Sequence, residues 1–283
     1  MLAKLPWENV RFQIHPSFWI VIALSVWTGY FWEILTLFLV VLLHELGHVT
    51  AAWSFGWKIR SIELLPFGGV AQMDEWGTAP AREEIVVALA GPFYHIYMIL
   101  FSLWFYQMGW WDYTWTEYFV LSNITIALFN MLPIYPLDGG RVVQALLSKL
   151  VPYQRCIAVS LYTSLFLSIV VLVFAFTVLN GISIIPLVII GLFLVFSNWQ
   201  AISQQQYPLW RMLFQRYQKG APDTLPHQAI QLMRTDSWAK ILPQWRKERY
   251  HIVQVFHENG KLMAIYPEEK VLERLFQTRK KGA

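Results

Sequence analysis

The chain has 283 residues, of which 56% are hydrophobic and 17% aromatic but only 14% charged, whereas soluble domains run nearer roughly 45 to 50% apolar and about 25% charged. That surplus of apolar surface excludes a soluble enzyme of this length, the low charge excludes disorder, and a single cysteine, Cys156, excludes a disulfide-stapled scaffold. The net charge of +4 is unevenly placed, with 8 Lys/Arg against 11 Asp/Glu in residues 1–201 and 14 against 7 in residues 202–283, so the basicity belongs to a polar tail beside a membrane and suits anionic lipid rather than nucleic acid.

A helix needs ~20 mostly apolar residues to cross ~30 Å of hydrocarbon, and six stretches satisfy this, at about 14–32, 34–57, 85–108, 118–137, 156–179 and 182–201. The first is expected to stay in the mature protein, because no small-residue cleavage site follows it. All 22 Lys and Arg fall before span one, between spans two and three, between four and five, or after span six. The opposite connections carry Glu33, Asp112 and Glu117 without a base. The excess of bases on one side predicts cytoplasmic N- and C-termini, with Trp110, Trp111, Tyr113, Trp115 and Tyr118 as the aromatic belt of the far interface.

Between spans two and three, residues 59–73 read as two short strands around Pro66-Phe67-Gly68-Gly69. The open edge of such an interfacial hairpin either takes up an unwound peptide by strand addition or has no substrate role. After span six, residues 203–219 alternate aromatic and basic side chains as in a helix lying on the bilayer surface. Beyond Gly220-Ala221-Pro222, residues 250–256 read as a strand, 257–260 as a turn, 261–266 as the return strand and 267–277 as a helix. The expected fold is an all-α polytopic membrane protein of six transmembrane helices with a short interfacial β-hairpin and a small α+β cytoplasmic domain. Its expected parts are a membrane domain at 1–201, an amphipathic interfacial linker at 202–220 and the small domain at 221–283.

Ionisable side chains inside hydrocarbon are costly, so each needs a partner or a task. Span two contains three within five residues, His44-Glu45-Leu46-Gly47-His48. Four residues at about 100° each put both imidazoles on one helix face, able to occupy two corners of a tetrahedral zinc site, with Glu45 placed to take a proton from water on the same metal. The alternative is a polar patch satisfied by neighbouring helices. A third ligand is needed, and Asp138 is the candidate: it ends Asn130-Met131-Leu132-Pro133-Ile134-Tyr135-Pro136-Leu137-Asp138-Gly139-Gly140, where two prolines break the helix and two glycines allow close backbone approach. A helix-capping Asp at an interfacial turn is the alternative there. His95 in span three is either functional or a helix-to-helix hydrogen bond. His15 reads as interfacial, and Cys156, near a cytoplasmic loop, has no expected redox role.

H-E-L-G-H followed about ninety residues later by N-x-x-P-x-x-P-L-D-G-G resembles the site-2 protease family of intramembrane zinc metalloproteases, over roughly residues 34–150. Pro66-Phe67-Gly68-Gly69, Ala90-Gly91-Pro92 with His95, and the C-terminal module resemble the branch with a cystathionine-β-synthase-type (CBS) tail, and within it the members that act in sporulation. The resemblance implies one Zn2+ held by His44, His48 and Asp138, with Glu45 as catalytic base. Asn130, as an additional donor or substrate clamp, Pro136, and Phe67 and Gly68 of the hairpin are the candidate substrate-binding residues. It also implies a membrane-associated protein substrate cut near the cytoplasmic face, a sigma-factor precursor (pro-sigma-K) in the mother-cell membrane around the forespore, and inhibitory membrane partner proteins. A lone CBS motif normally pairs, which implies a homo-oligomer, and the resemblance adds adenine-nucleotide sensing; no Gly-rich phosphate cradle is visible in the tail, and a plain docking module is the alternative. No direct nucleic-acid contact is expected. The competing readings are a membrane metal transporter or sensor and an inactive protease-like scaffold.

Overall fold

The computed structural model describes residues 11–65, 68–178, 184–222 and 225–280, and the chain packs as two compact units. The first lies within Met1–Trp76, Arg82–Pro133 and Leu137–Val142, the second within Gly77–Ala81, Ile134–Pro136 and Val143–Ala283.

The first unit opens with strand β1 (Arg11–Ile14), helix α1 (Pro16–Thr28) and helix α2 (Phe31–Ser54). With 13 residues at ~1.5 Å each, α1 is about 20 Å long and falls short of a hydrocarbon core of ~30 Å, so the span expected at 14–32 is shorter than the sequence suggests. Its limits are local: Pro16 starts the helix without needing an N–H partner, and Gly29 stops it at φ 82°. Helix α2 ends where Gly56 turns to φ 74° and Trp57 N–H folds back onto the Ala52 carbonyl.

Strands β2 (Ile59–Leu65) and β3 (Gly68–Met73) pair antiparallel, with Ile62 opposite Ala71 and Leu64 opposite Gly69. β1 adds parallel to β2, Arg11 opposite Ser61, which makes a three-stranded sheet of order β1-β2-β3 with β3 at an edge. The expected hairpin is therefore two-thirds of a sheet. Its third strand arrives after a two-helix crossover, a long-range pairing that local alternation does not reveal.

Helix α3 (Ala81–Gln107) precedes α4 (Tyr113–Asn130). α4 starts before the expected 118 because the Asp112 carboxylate caps it, accepting the Trp115 N–H at 2.7 Å, and it ends ahead of Pro133. Val40, Met98 and Phe119 meet where α2, α3 and α4 pack. Among the described residues four helices are long and apolar enough to cross a membrane, at Phe31–Ser54, Ala81–Gln107, Tyr153–Thr177 and Ile185–Ser203. The six expected spans reduce to four on this criterion, since α1 is short and α4 carries Glu117, Asn123 and Asn130. Trp27, Phe93, Phe101, Phe174 and Phe196 are exposed, the apolar outer surface that lipid requires.

The second unit holds most of α5 (Asp138–Leu150), then α6 (Tyr153–Val178), α7 (Ile184–Ser203) and α8 (Tyr207–Lys219). Strand β4 (His227–Met233) follows, then a 3-10 helix (Trp238–Gln244), strands β5 (Tyr250–Phe256) and β6 (Leu262–Pro267), and helix α9 (Glu268–Lys280). β4 runs parallel to β5 and β5 antiparallel to β6. The strand, turn, strand and helix expected after residue 250 form as read, while β4 and the 3-10 helix are additions, again through a parallel pairing. Tyr153, Ile157 and Leu161 on α6 share one core with Leu213 on α8 and with Ile241 and Trp245 of the tail module. The buried stripe of α8, Leu209, Met212 and Leu213, is thus covered by protein rather than by lipid. Its exposed aromatics are Tyr207, Phe214 and Tyr217.

Candidate metal centre

Helix geometry places His44 and His48 one turn apart on α2, and their rings meet edge to face at 4.7 Å between centroids. Their Nε2 atoms are 3.1 Å apart. Asp138, the first residue of α5, brings its Oδ2 to 3.1 Å from His44 Nε2 and 3.2 Å from His48 Nε2. All three side chains are buried, although only the two histidines sit within an apolar run.

The approach of α5 rests on Gly139. A Cβ there would overlap the carbonyl oxygens of Met131 and Leu132, so only glycine lets the start of α5 fold back onto the end of α4. Arg141, three residues on, lies over the Trp76 ring at 4.4 Å and holds the first turn of α5 in place. From the other side, Gly91 of α3 lies against both imidazoles: a Cβ there would overlap His48 and come within 2.8 Å of His44 Cε1.

Two features fit a cation at this point. His48 Nδ1 donates to the Val87 carbonyl at 2.7 Å, which leaves Nε2 with a lone pair in the neutral ring. Asp138 Oδ2, close to both Nε2 atoms, forms a hydrogen bond with no described residue. A buried carboxylate oxygen without a donor is costly unless a cation meets it. Ligand atoms bound at ~2.0–2.1 Å to one tetrahedral zinc lie ~3.3 Å apart, close to the 3.1, 3.1 and 3.2 Å observed. Two imidazole nitrogens and a carboxylate oxygen are also a donor set that zinc accepts.

Glu45 lies beside this cluster, with one carboxylate oxygen and the two imidazoles all within 4.8 Å of one another. Its Oε2 accepts the Ala71 N–H at 3.1 Å. β3 crosses directly over it, since a Cβ on Gly69 would lie 2.6 Å from Glu45 Cγ. The sheet edge noted in the sequence therefore runs past the carboxylate.

Gly68 opens β3 opposite Leu65, and Phe67 lies outside the described residues. Asn130 Nδ2 donates to the Ile126 carbonyl one turn back, at 3.0 Å. Pro136 follows a cis peptide bond, and Tyr135 before it donates its N–H to Ser164 Oγ at 2.9 Å and accepts a hydrogen bond from Asn198 Nδ2. His95 Nε2 is 3.0 Å from His44 Nδ1, and His95 Nδ1 is 2.8 Å from Asn123 Oδ1. His15 is exposed and Cys156 buried.

Sequence reasoning missed Asn123, the Val87 carbonyl, the Ala71 N–H and the role of Gly91. Asn123 carried a usable signal, an amide within an apolar stretch. The backbone groups carry none, because every residue has them.

Comparison with known proteins gives a consistent result. The sequence pattern of peptidase family M50 matches residues 32–111 and 105–171. Stage IV sporulation protein FB of Bacillus subtilis is 31% identical over 94% of this chain and 92% of its own length. A zinc metalloprotease of Methanocaldococcus jannaschii is 33% identical over 64% of this chain and 53% of its own length. The solved structure of the site-2 protease from Methanocaldococcus jannaschii superposes with a TM-score of 0.54 at 30% identity, covering 71% of this chain and 94% of that one.

Proposed function

Since this chain belongs to peptidase family M50, the site-2 protease family, and is an integral membrane protein with the relatives of a metalloprotease, we propose that it is an intramembrane zinc endopeptidase. In this reading His44, His48 and Asp138 hold the zinc and Glu45 is the catalytic base. The observation that carries it is the convergence of two Nε2 atoms and the donorless Asp138 Oδ2 within 3.2 Å of one another.

Zinc bound there supplies a Lewis acid that polarises a carbonyl and lowers the pKa of water towards ~7. The chain's own groups do the rest. Glu45 Oε2 is steadied by the Ala71 N–H, so the other oxygen is the one that accepts the proton of the attacking water and returns it to the leaving amide nitrogen. A transmembrane helix hides its carbonyls in its own hydrogen bonds, so a substrate must be unwound before it is cut. The edge of β3 provides the alternative partner: a peptide added along that edge, beside the Ala71 N–H that Glu45 occupies, exchanges helical hydrogen bonds for sheet ones while passing over Glu45. Gly68, Phe67, Asn130 and Pro136 are the further contacts this reading assigns to substrate.

We read residues 1–201 as the membrane protease, 202–220 as the linker and 221–283 as a CBS-like module, which the order β4, 3-10 helix, β5, β6, α9 supports. The cytoplasmic placement of both termini follows the distribution of bases. Likeness to a stage IV sporulation protein supports a sporulation substrate, and the finer reading is a membrane-associated sigma-factor precursor, pro-sigma-K, processed in the mother-cell membrane and restrained by inhibitory membrane partners. Pairing of the module between chains, and adenine nucleotide bound to it, complete the reading.

The test is co-expression with membrane-tethered candidate substrates, comparing native protein with Glu45→Gln by product size. Glu45→Gln keeps its zinc and yields no product. Product formed by that variant at the native rate ends the proposal.

A further inference from the structure

Two polar residues of the apolar helices are not absorbed by the chemistry above, His95 on α3 and Asn123 on α4. Both are fully buried, His95 at 1% and Asn123 at 0% exposure. A buried ring nitrogen or amide is costly unless each polar atom finds a partner, and here the partners form a chain.

It starts at a backbone carbonyl. Asn123 Nδ2 donates to the Phe119 oxygen at 2.8 Å. That contact sets the amide orientation, because the flipped amide would press its own carbonyl oxygen against the Phe119 oxygen. Oδ1 is therefore the atom that faces His95 Nδ1 at 2.8 Å. An amide oxygen only accepts, so the proton is on His95 Nδ1. In the neutral ring this leaves His95 Nε2 with a lone pair, aimed at His44 Nδ1 3.0 Å away. His44 Nδ1 must then carry a proton and donate it. The lone pair of His44 is left on Nε2, the atom that lies 3.1 Å from both His48 Nε2 and Asp138 Oδ2. In the opposite tautomer of His44 two lone pairs would face each other at 3.0 Å and the proton would point into the cluster.

We propose that His95 and Asn123 are positioning residues for the metal site: carried by α3 and α4, they lock His44 of α2 in the tautomer that presents Nε2 for coordination. The proposal rests on the reading that His44, His48 and Asp138 hold zinc. His48 obtains the same lock from a single contact with the Val87 carbonyl. Among the described residues the partner of His44 Nδ1 is the imidazole of His95, which, oriented by Asn123, takes the part that the carbonyl plays for His48. Partners of this kind typically change metal affinity by roughly 10–100-fold when removed.

The experiment measures zinc affinity of the purified full-length protein in detergent, by competition with a chromophoric chelator. His95→Leu, which fills the space but accepts nothing, is expected to weaken zinc by roughly 10–100-fold. His95→Gln places a carbonyl oxygen near the position of Nε2 and is expected to recover most of that loss, which a purely packing role would not. Asn123→Leu releases the His95 ring to take either tautomer and is expected to weaken zinc in the same direction, and it serves as the reading if His95→Leu does not fold. Native affinity in both Leu variants overturns the proposal, as does a His95→Gln protein as weak as His95→Leu. Zinc lost from His44→Ala but held at native affinity by both Leu variants sinks the tautomer lock alone. A native protein that binds no zinc sinks the metal site and the lock with it.

Discussion

One methyl group measures how tightly the two imidazoles are held. Gly91 lies against both rings with no space for a Cβ, so Gly91→Ala must push His48 or His44 out of line or force α3 away from α2. The expected result is a protein that inserts normally but has lost stoichiometric zinc and processing. Native zinc content measured by metal analysis in that variant would show that the rings are not so confined. At this scale the sequence was most informative where chemistry fixes spacing: four residues on a helix bring His44 and His48 to one face wherever the helix lies. Asp138 was legible from its setting of prolines and glycines, and the reason for Gly139 is now visible in the overlap a Cβ would make with the Met131 carbonyl. Asn123 was passed over because an amide costs less in hydrocarbon than an ionisable group, so it raised no alarm by itself.

At the scale of elements, β3 offers a separate test. The Ala71 N–H points away from β2 and onto Glu45, so proline at this position removes no bond within the sheet and is sterically suited to an edge. Ala71→Pro is expected to keep its zinc while processing falls at least roughly tenfold, by loss of the contact that steadies Glu45. Cleavage at the native rate would remove β3 from the mechanism. A second element-level contact joins α8 to α9. The Arg216 guanidinium lies 2.9 Å from Glu268 Oε1, and Glu268 also accepts the His251 N–H at 2.8 Å. Removing one partner of a buried pair leaves the other charge uncompensated, so Arg216→Met is expected to cost about 3–5 kcal/mol in a denaturation experiment. Burial opposes the charge on Glu268, but the His251 hydrogen bond and Arg216 outweigh it and hold the carboxyl below its ordinary 4.5. Burial also pushes His251 below its ordinary 6.5, against the pull of Glu268. Both groups take protons more readily when unfolded, so both contribute stability above their unfolded pKa values that is lost as pH falls through the folded ones. The melting temperature of the full-length protein is therefore expected to drop from about pH 6.5 downward, and a midpoint that rises on acidification contradicts this. Strand β4, like β1, escaped sequence reading because its partner is parallel and lies across a crossover, whereas β5 and β6 announce themselves through an Asn259-Gly260 turn.

For the whole molecule, composition alone gave the membrane class, and the four long apolar helices carry it. Four of the six expected spans have the length and hydropathy of a crossing among the described residues, while α1 falls short at its Gly29 stop and α4 carries Glu117, Asn123 and Asn130, local features that a hydropathy window averages over. A folded metal site stabilises the entire chain by mass action, since the unfolded chain does not assemble three ligands from α2 and α5. Stripping zinc with a chelator is expected to lower the melting temperature of native protein and of Glu45→Gln alike, by an amount that grows with the zinc concentration restored. His48→Ala is expected to be indifferent to zinc. Equal melting curves for native protein with and without metal would argue that the three donors meet for another reason.

The core that Tyr153, Ile157 and Leu161 share with Trp245 and Ile241 has a practical consequence for anyone building hybrids of such proteases. Cutting near Gly220 and splicing on the tail of a relative would transplant one part of an oily interface and leave the host's part, at the foot of α6 and along α8, facing a stranger. A chimera that works will have to carry the donor's residues at 153, 157, 161, 209, 212 and 213 along with the graft.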